Sequence, residues 1–462
     1  MATTSTFKHV NEAIGFFGFS PEVSYNKPTL RFKASGGTTT TVTVDTSAGT
    51  GRDDKNLAGA PADLFNGLYV IFRTGGLAGK TAKITDFAVA SGVATFTVTT
   101  LSAAPSAGDE FVVLAPLPAL NAQINPETEK IDRDFHRLTL DPPSGLAGLT
   151  KVSGSFEMPL FGLATALGNG VTPAQDLLSV FFSSFAQRSA HAGTTVATGS
   201  TTTNVKVNSA TGFVVGDFVL INGEVRKITA VDTTAIQNSL TVSPALSAAP
   251  AANDVVYSGE HFKPVDTGPR SLSFLRLTDD QVEEAHGCHV TFSLSAEFGA
   301  EPKMSVNFSG ANYLIEDNFG LDGAVLSGDL LPFAFVAGDV FFGGTSLPVA
   351  SVSFDLAHGL QEIRDTEAGL RFDLRSRAST AQINIRDISA VPRSTWDKQK
   401  TVNDLLIQIG NQAQKTFCIY ALKAQVNNTG TGSQNQTKQW QLNFAVVDDH
   451  TGSSTRPILV RF

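Results

Sequence analysis

The chain has 462 residues, 42% hydrophobic and 17% charged, with 33 Phe and 41 Gly against 5 Tyr and 2 Trp. That is too long for one ordinary domain and apolar enough for several cores, while the scarcity of Trp and Tyr speaks against a sugar-binding platform. A net charge of −9 with no basic run excludes ordinary nucleic-acid binding, because nothing is available to track a phosphate backbone.

The N-terminal stretch lacks the basic start, long apolar core and cleavage site of a signal peptide. The longest apolar region, near Leu330 to Phe342, is interrupted by Pro332, Gly338 and Asp339, so no membrane span is expected. Residues 1–35 read as an arm plus the first strands of a frame. Within them GFFGF, Gly15 to Phe19, fits either a core strand or an aromatic segment that docks on a neighbouring subunit.

Two stretches then resemble each other. TTTTVTV, GLYVIF, AKITDF and LSAAPSAGDEFVV run from Thr38 to Val113. TTTNVKV, GDFVLI, RKITAV and LSAAPAANDVVY run from Thr201 to Tyr257 in the same order. They predict one small all-β module present twice, at 36–116 and 192–259, the first copy carrying an extra loop near Thr50 to Leu64. Each opens and closes within the frame, so its ends should lie together, as inserted domains require.

Between and after the modules the frame continues, at 117–191 and 260–320. Glu129 to Leu140 and Lys151 to Leu160 read as strands. Thr172-Pro173-Ala174-Gln175 is a capping box, and Leu177, Leu178, Phe181, Phe182 and Phe185 follow at helical spacing. From Ser271 to Gly310 the pattern is period two. Val290, Phe292, Leu294, Ala296 and Phe298 oppose Thr291, Ser293, Ser295 and Glu297. Met304, Val306 and Phe308 oppose Ser305, Asn307 and Ser309. The linker GAEPK makes these two strands a hairpin with one buried and one wet face.

The last part, 321–462, repeats the order strands, helix, strands. Alternation marks Val352 to Leu356, Leu370 to Leu374, Ala381 to Ile385 and Trp440 to Val446. A helix is expected from Thr401, where Asp404-Leu405-Leu406 echoes Asp176-Leu177-Leu178. The expected fold class is therefore mainly β: an antiparallel sandwich or barrel frame with flanking helices, its element order repeated in the second half, plus two inserted β modules.

Chemistry-bearing motifs are weak. Thr74 to Thr81 approximates a phosphate-binding loop but starts with Thr and runs into a strand, where a helix N-terminus is needed. His286-Gly287-Cys288-His289 crowds three ligands into four residues without a second pair at zinc spacing. Asp279, Asp280, Glu283 and Glu284 read as a solvated acidic run. Cys288 and Cys418 are expected to be free thiols, with one disulfide the other pairing open to them. No catalytic, cofactor or metal site is expected, and the chain does not read as an enzyme.

The hairpin ending in VNFSG after an acidic connector, EKIDRDFHRLTL, TPAQDLL and VSFDLAHGLQEIRDTEAGLRFDLRSR together resemble the tail tube, or major tail, proteins of long-tailed bacteriophages. The resemblance implies a structural subunit of the virion, assembled in the host cytoplasm, whose rings stack around a DNA-conducting channel. Its implied partners are other copies of itself, tail proteins at the tube ends, and tape-measure protein and genomic DNA in the lumen, held without sequence readout and without a membrane. Thr291, Ser293, Ser295, Glu297, Ser305 and Asn307 are then the candidate lumen-facing residues. Six frame units per ring imply three chains if the frame is duplicated. A virion surface-binding protein, for a receptor or carbohydrate, is the rival reading, and it rests on the two modules.

Overall fold

Alternating sequence becomes antiparallel sheet through most of the described residues. The computed structural model describes residues 15–131, 146–163, 185–188, 190–233, 238–264, 270–278, 281–317, 330–365, 369–385, 402–434, 437–447 and 457–462. Among the described residues the only helical segments are single 3-10 turns, Asp54–Leu57 and Gly75–Leu77. The flanking helices are not seen: the capping box at Thr172 lies outside the described residues, Phe185 opens a short strand, Phe185–Arg188, and Val402–Ile409 is a strand. That last stretch is buried on both faces, so its apolar run has no alternation to announce a strand.

The frame is built twice. In the first half Gly15–Pro21 pairs with Leu272–Thr278, which pairs with the long strand Gln281–Glu297. That strand also takes Asn312–Asp317 along its first part and Lys303–Gly310 along its second. Lys303–Gly310 pairs with Leu146–Pro159, which pairs with Leu120–Ile131. In the second half Val340–Phe342, Val402–Ile409, Phe417–Gln434, Ile458–Arg461, Thr437–Val446, Thr380–Ile385 and Val349–Asp355 occupy the same seven places, with the same neighbours. The halves join edge to edge: Ser293 to Glu297 pairs with Asp355 to Ser351. The result is one run of eight strands, four from each half.

The buried face of this run carries Ile124, Val152, Phe156, Phe292, Leu294, Val306, Phe308, Phe354, Ile383 and Phe444, all inside the main core. Fully burying one such large side chain contributes about 1.5–3 kcal/mol. Phe274 stacks on Phe308 at 4.3 Å and on Phe17 at 5.6 Å, so GFFGF is a core strand. Phe298 departs from the expected alternation. It lies beyond the strand's last residue, Glu297, in the turn, and is 53% exposed.

Six strands of each module follow one order, and Gly36–Thr38 adds a seventh to the first by pairing with Thr41–Asp45. In the first, Arg31–Lys33, Glu110–Pro116, Tyr69–Phe72, Thr81–Ala90, Val93–Val98 and Thr41–Asp45 are successive neighbours. In the second, Thr194–Thr195, Val255–Ser258, Phe218–Ile221, Glu224–Asp232, Ser239–Ser243 and Asn204–Lys206 are neighbours in the same succession. Thr81–Ala90, the strand after the phosphate-loop-like turn, belongs to this order. Each module packs on the same place of its own half. Ile71 and Val112 of the first meet Leu275 and Val282. Leu220 and Tyr257 of the second meet Leu406 and Cys418, which stand at the equivalent positions.

Candidate assembly interface

The eight-stranded run has a polar face opposite the core, and all six candidate lumen-facing residues lie on it. Thr291, Ser293 and Ser305 are half-buried, whereas Ser295, Glu297 and Asn307 are exposed. Strand register spreads this face across both halves. Glu157, Ser305, Ser293, Asp355 and Thr380 form one cross-strand row. Lys303, Ser295, Ser353, Gln382 and Asn443 form the next. Glu297, Ser351, Asn384 and Gln441 form a third. The Asn384 amide donates to Ser351 Oγ at 2.8 Å, and the His358 N–H donates to Thr291 Oγ1 at 3.3 Å. Hydroxyls and amides dominate, with three carboxylates and one amine among these rows. Such a surface is wetted but gives a phosphate backbone little to hold.

Among the described residues the two ends of the run are open. Leu120–Ile131 pairs only with Leu146–Pro159, and Asn428–Gln434 only with residues 437–443, among the described residues. A long unpaired edge is a template for another strand. The closed junction in the middle gives the geometry such pairing would take. Phe308 and Phe444 stand at equivalent places: Phe308 lies across from Gly154 and then Ile124, Phe444 across from Ala381 and then Phe354. Asn121 to Asn125 is thus the counterpart of Ser351 to Asp355. Counting along the other strand, Gly430 to Gln434 is the counterpart of Ser293 to Glu297. The half-to-half junction, repeated, sets Gly430 against Asn125 and Gln434 against Asn121.

Buried charge sits elsewhere. Glu284, fully buried, accepts from Arg31 and, at 2.6 Å, from Arg52 of the loop that only the first module has. Burial alone would raise its carboxyl, but His286, 3.1 Å away, and the charges of Arg52 and Arg31 outweigh that and hold it at about 2. Glu22, also fully buried, accepts from Ser271 Oγ, Ser273 Oγ and the Gly287 N–H. His286 also contacts Ser273 Oγ at 3.0 Å, so the His-Gly-Cys-His cluster is built into this network. Glu283 of the expected solvated acidic run instead pairs with Arg276, and Asp279 and Asp280 lie outside the described residues. Cys288 and Cys418 are buried free thiols. No group of metal-ligating side chains occurs among the described residues, and no helix among them is long and apolar enough to cross a membrane. The open edges were missed in the sequence, because edge position follows from pairing between distant strands and leaves no local pattern.

No protein-family model and no curated protein matches the chain.

Proposed function

We propose that this protein is the structural subunit of a bacteriophage tail tube, closing edge to edge into rings around a channel that conducts DNA. The observation that carries the reading is the duplicated sheet: one edge-to-edge junction inside the chain, and two open edges standing in the same relation to one another. Repeating that junction between chains extends the sheet by eight strands per chain. Head-to-tail contacts of this kind must close on themselves or grow without limit. With six frame units per ring, as the resemblance implies, three chains close the barrel, and its polar face, mostly hydroxyls and amides, becomes the wall of the lumen. The modules, on the opposite side of each half, lie outside. Tape-measure protein and genomic DNA are the expected lumen occupants, and the virion tail is the expected location.

The register supplies the test. A variant with Asn125→Cys and Gly430→Cys should form disulfides between chains under mild oxidation, giving covalent multimers on a denaturing gel. Each single variant should remain one chain. A double variant that associates yet stays monomeric on the gel would remove this edge from the interface.

A further inference from the structure

The hairpin that extends from the first two sheet strands of each half has different fates in the two halves. In the second half it breaks away after Asp355. Ala357 takes a left-handed φ of 46°, and His358–Asp365 and Gly369–Arg377 form a separate two-stranded sheet. That hairpin folds over the corner of the first half. Leu370 and Phe372, 6% and 8% exposed, pack there with Leu360 against Ala311 and Tyr25, and the Phe372 N–H donates to the Tyr25 hydroxyl at 2.9 Å.

In the first half there is no such break. Leu120–Ile131 and Leu146–Pro159 stay paired with each other out to Ile131 and Leu146, through two register shifts, with Ile131, Leu146 and Leu149 each 44–50% exposed. The corner this hairpin would cover, by the same relation, belongs to the second half of another chain. Position for position, that corner is bare among the described residues. Val402 stands where Ser271 stands, and is 45% exposed against 1%. Val447, three residues past Phe444 as Ala311 is past Phe308, is half-buried where Ala311 is 3% exposed. An uncovered apolar hairpin and an uncovered apolar corner are thus left over by one and the same internal symmetry.

We infer that the strand pair Leu120–Ile131 and Leu146–Pro159 of one chain docks on the corner around Val402 and Val447 of a second copy, beside the edge where that copy's Gly430 to Gln434 meets it. This rests on the edge-to-edge reading and adds a second contact to it. The two hairpins of one chain already touch, since Arg364 Nη1 donates to Glu129 Oε2 at 2.6 Å. Docking on the neighbour would carry that row of hairpins around the ring as a belt. Burial of exposed apolar side chains at a bare corner is the driving term.

The test uses the full chain, whose two native cysteines are buried. Leu149→Cys with Val402→Cys, treated with a short bifunctional thiol reagent, should give covalent multimers, and neither single variant should. A crosslink within one chain would leave the mass unchanged and would overturn the proposal. So would failure to crosslink in a preparation where the Asn125→Cys and Gly430→Cys pair does. If neither pair joins chains, the edge reading fails and the docking fails with it. As a second measurement, Leu146→Asp with Leu149→Asp should weaken self-association about tenfold, which is about 1.4 kcal/mol. The unfolding temperature of the single chain should not change, because both side chains are exposed. Unchanged association in that variant would also overturn the docking.

Discussion

The two modules share strand order and docking position, yet they are attached differently. The second has a core of its own, built on Val205, Val219, Ile221, Ile228, Leu240 and Val256. It meets the frame through a separate apolar layer and through Gln408, whose side chain accepts from the Val225 N–H and donates to the Gly223 carbonyl. Its ends lie together, with the His191 N–H 3.3 Å from Ser258 Oγ. In the first module Phe32, Phe65, Phe87, Phe96 and Phe111 belong to the same continuous core as Phe17, Phe274 and Phe308 of the frame. The extra loop supplies Arg52 and Asp53. Asp53 accepts from the Leu30 and Arg31 N–H groups while Arg52 reaches Glu284. One fold can therefore be an appendage or part of the foundation. The difference lies in a single loop and a shared aromatic core, since the strand order is common to both.

The largest expected effect comes from excision. Replacing residues 194–257 with a short Gly/Ser linker should leave a frame that unfolds cooperatively, at a lower temperature because the apolar layer around Leu406 and Tyr420 is bared. Replacing 36–116 should abolish cooperative unfolding, since it cuts through the main core. Near-ultraviolet circular dichroism on both variants checks this, and equal behaviour would erase the distinction.

A smaller effect isolates the clamp. Glu284→Gln removes the buried charge that Arg31 and Arg52 share, leaving Arg31 with Glu316 and Arg52 with Asp53, and should cost about 1–3 kcal/mol in chemical unfolding. The carboxyl is held at about 2 in the folded chain, below its ordinary value of 4.5. A depressed acid stabilises at pH above the unfolded value, and that contribution disappears as pH falls from about 4.5 to about 2. The wild-type chain should lose stability across that window, and Glu284→Gln should lose less. Parallel pH curves for the two would remove Glu284 from the clamp.

Much of the fold was legible where one face is wet. Alternation marked two strands, around Val290 to Glu297 and Met304 to Phe308, that pair as a hairpin, and the matched strings around LSAAP fall in two stretches of like strand order. It failed where both faces are covered. Leu405, Ile407 and Ile409 point into the main core while Leu406 and Gln408 meet the second module, so VNDLLIQI shows no period. An echo with an upstream segment then suggested a helix. The first module also starts earlier than its matched string, because Arg31–Lys33 forms its outer strand by pairing with a stretch some 80 residues later. The polar face was readable residue by residue. Its continuity across eight strands was not, because that depends on Ser293 to Glu297 finding Ser351 to Asp355.

The most direct measurement is electron microscopy of the purified, assembled protein in cross-section. The account predicts a ring with a central hole and threefold symmetry, each repeat showing two outer lobes, one for each module of a 48.7 kDa chain. Discrete single chains, or six repeats each carrying both modules, would contradict it.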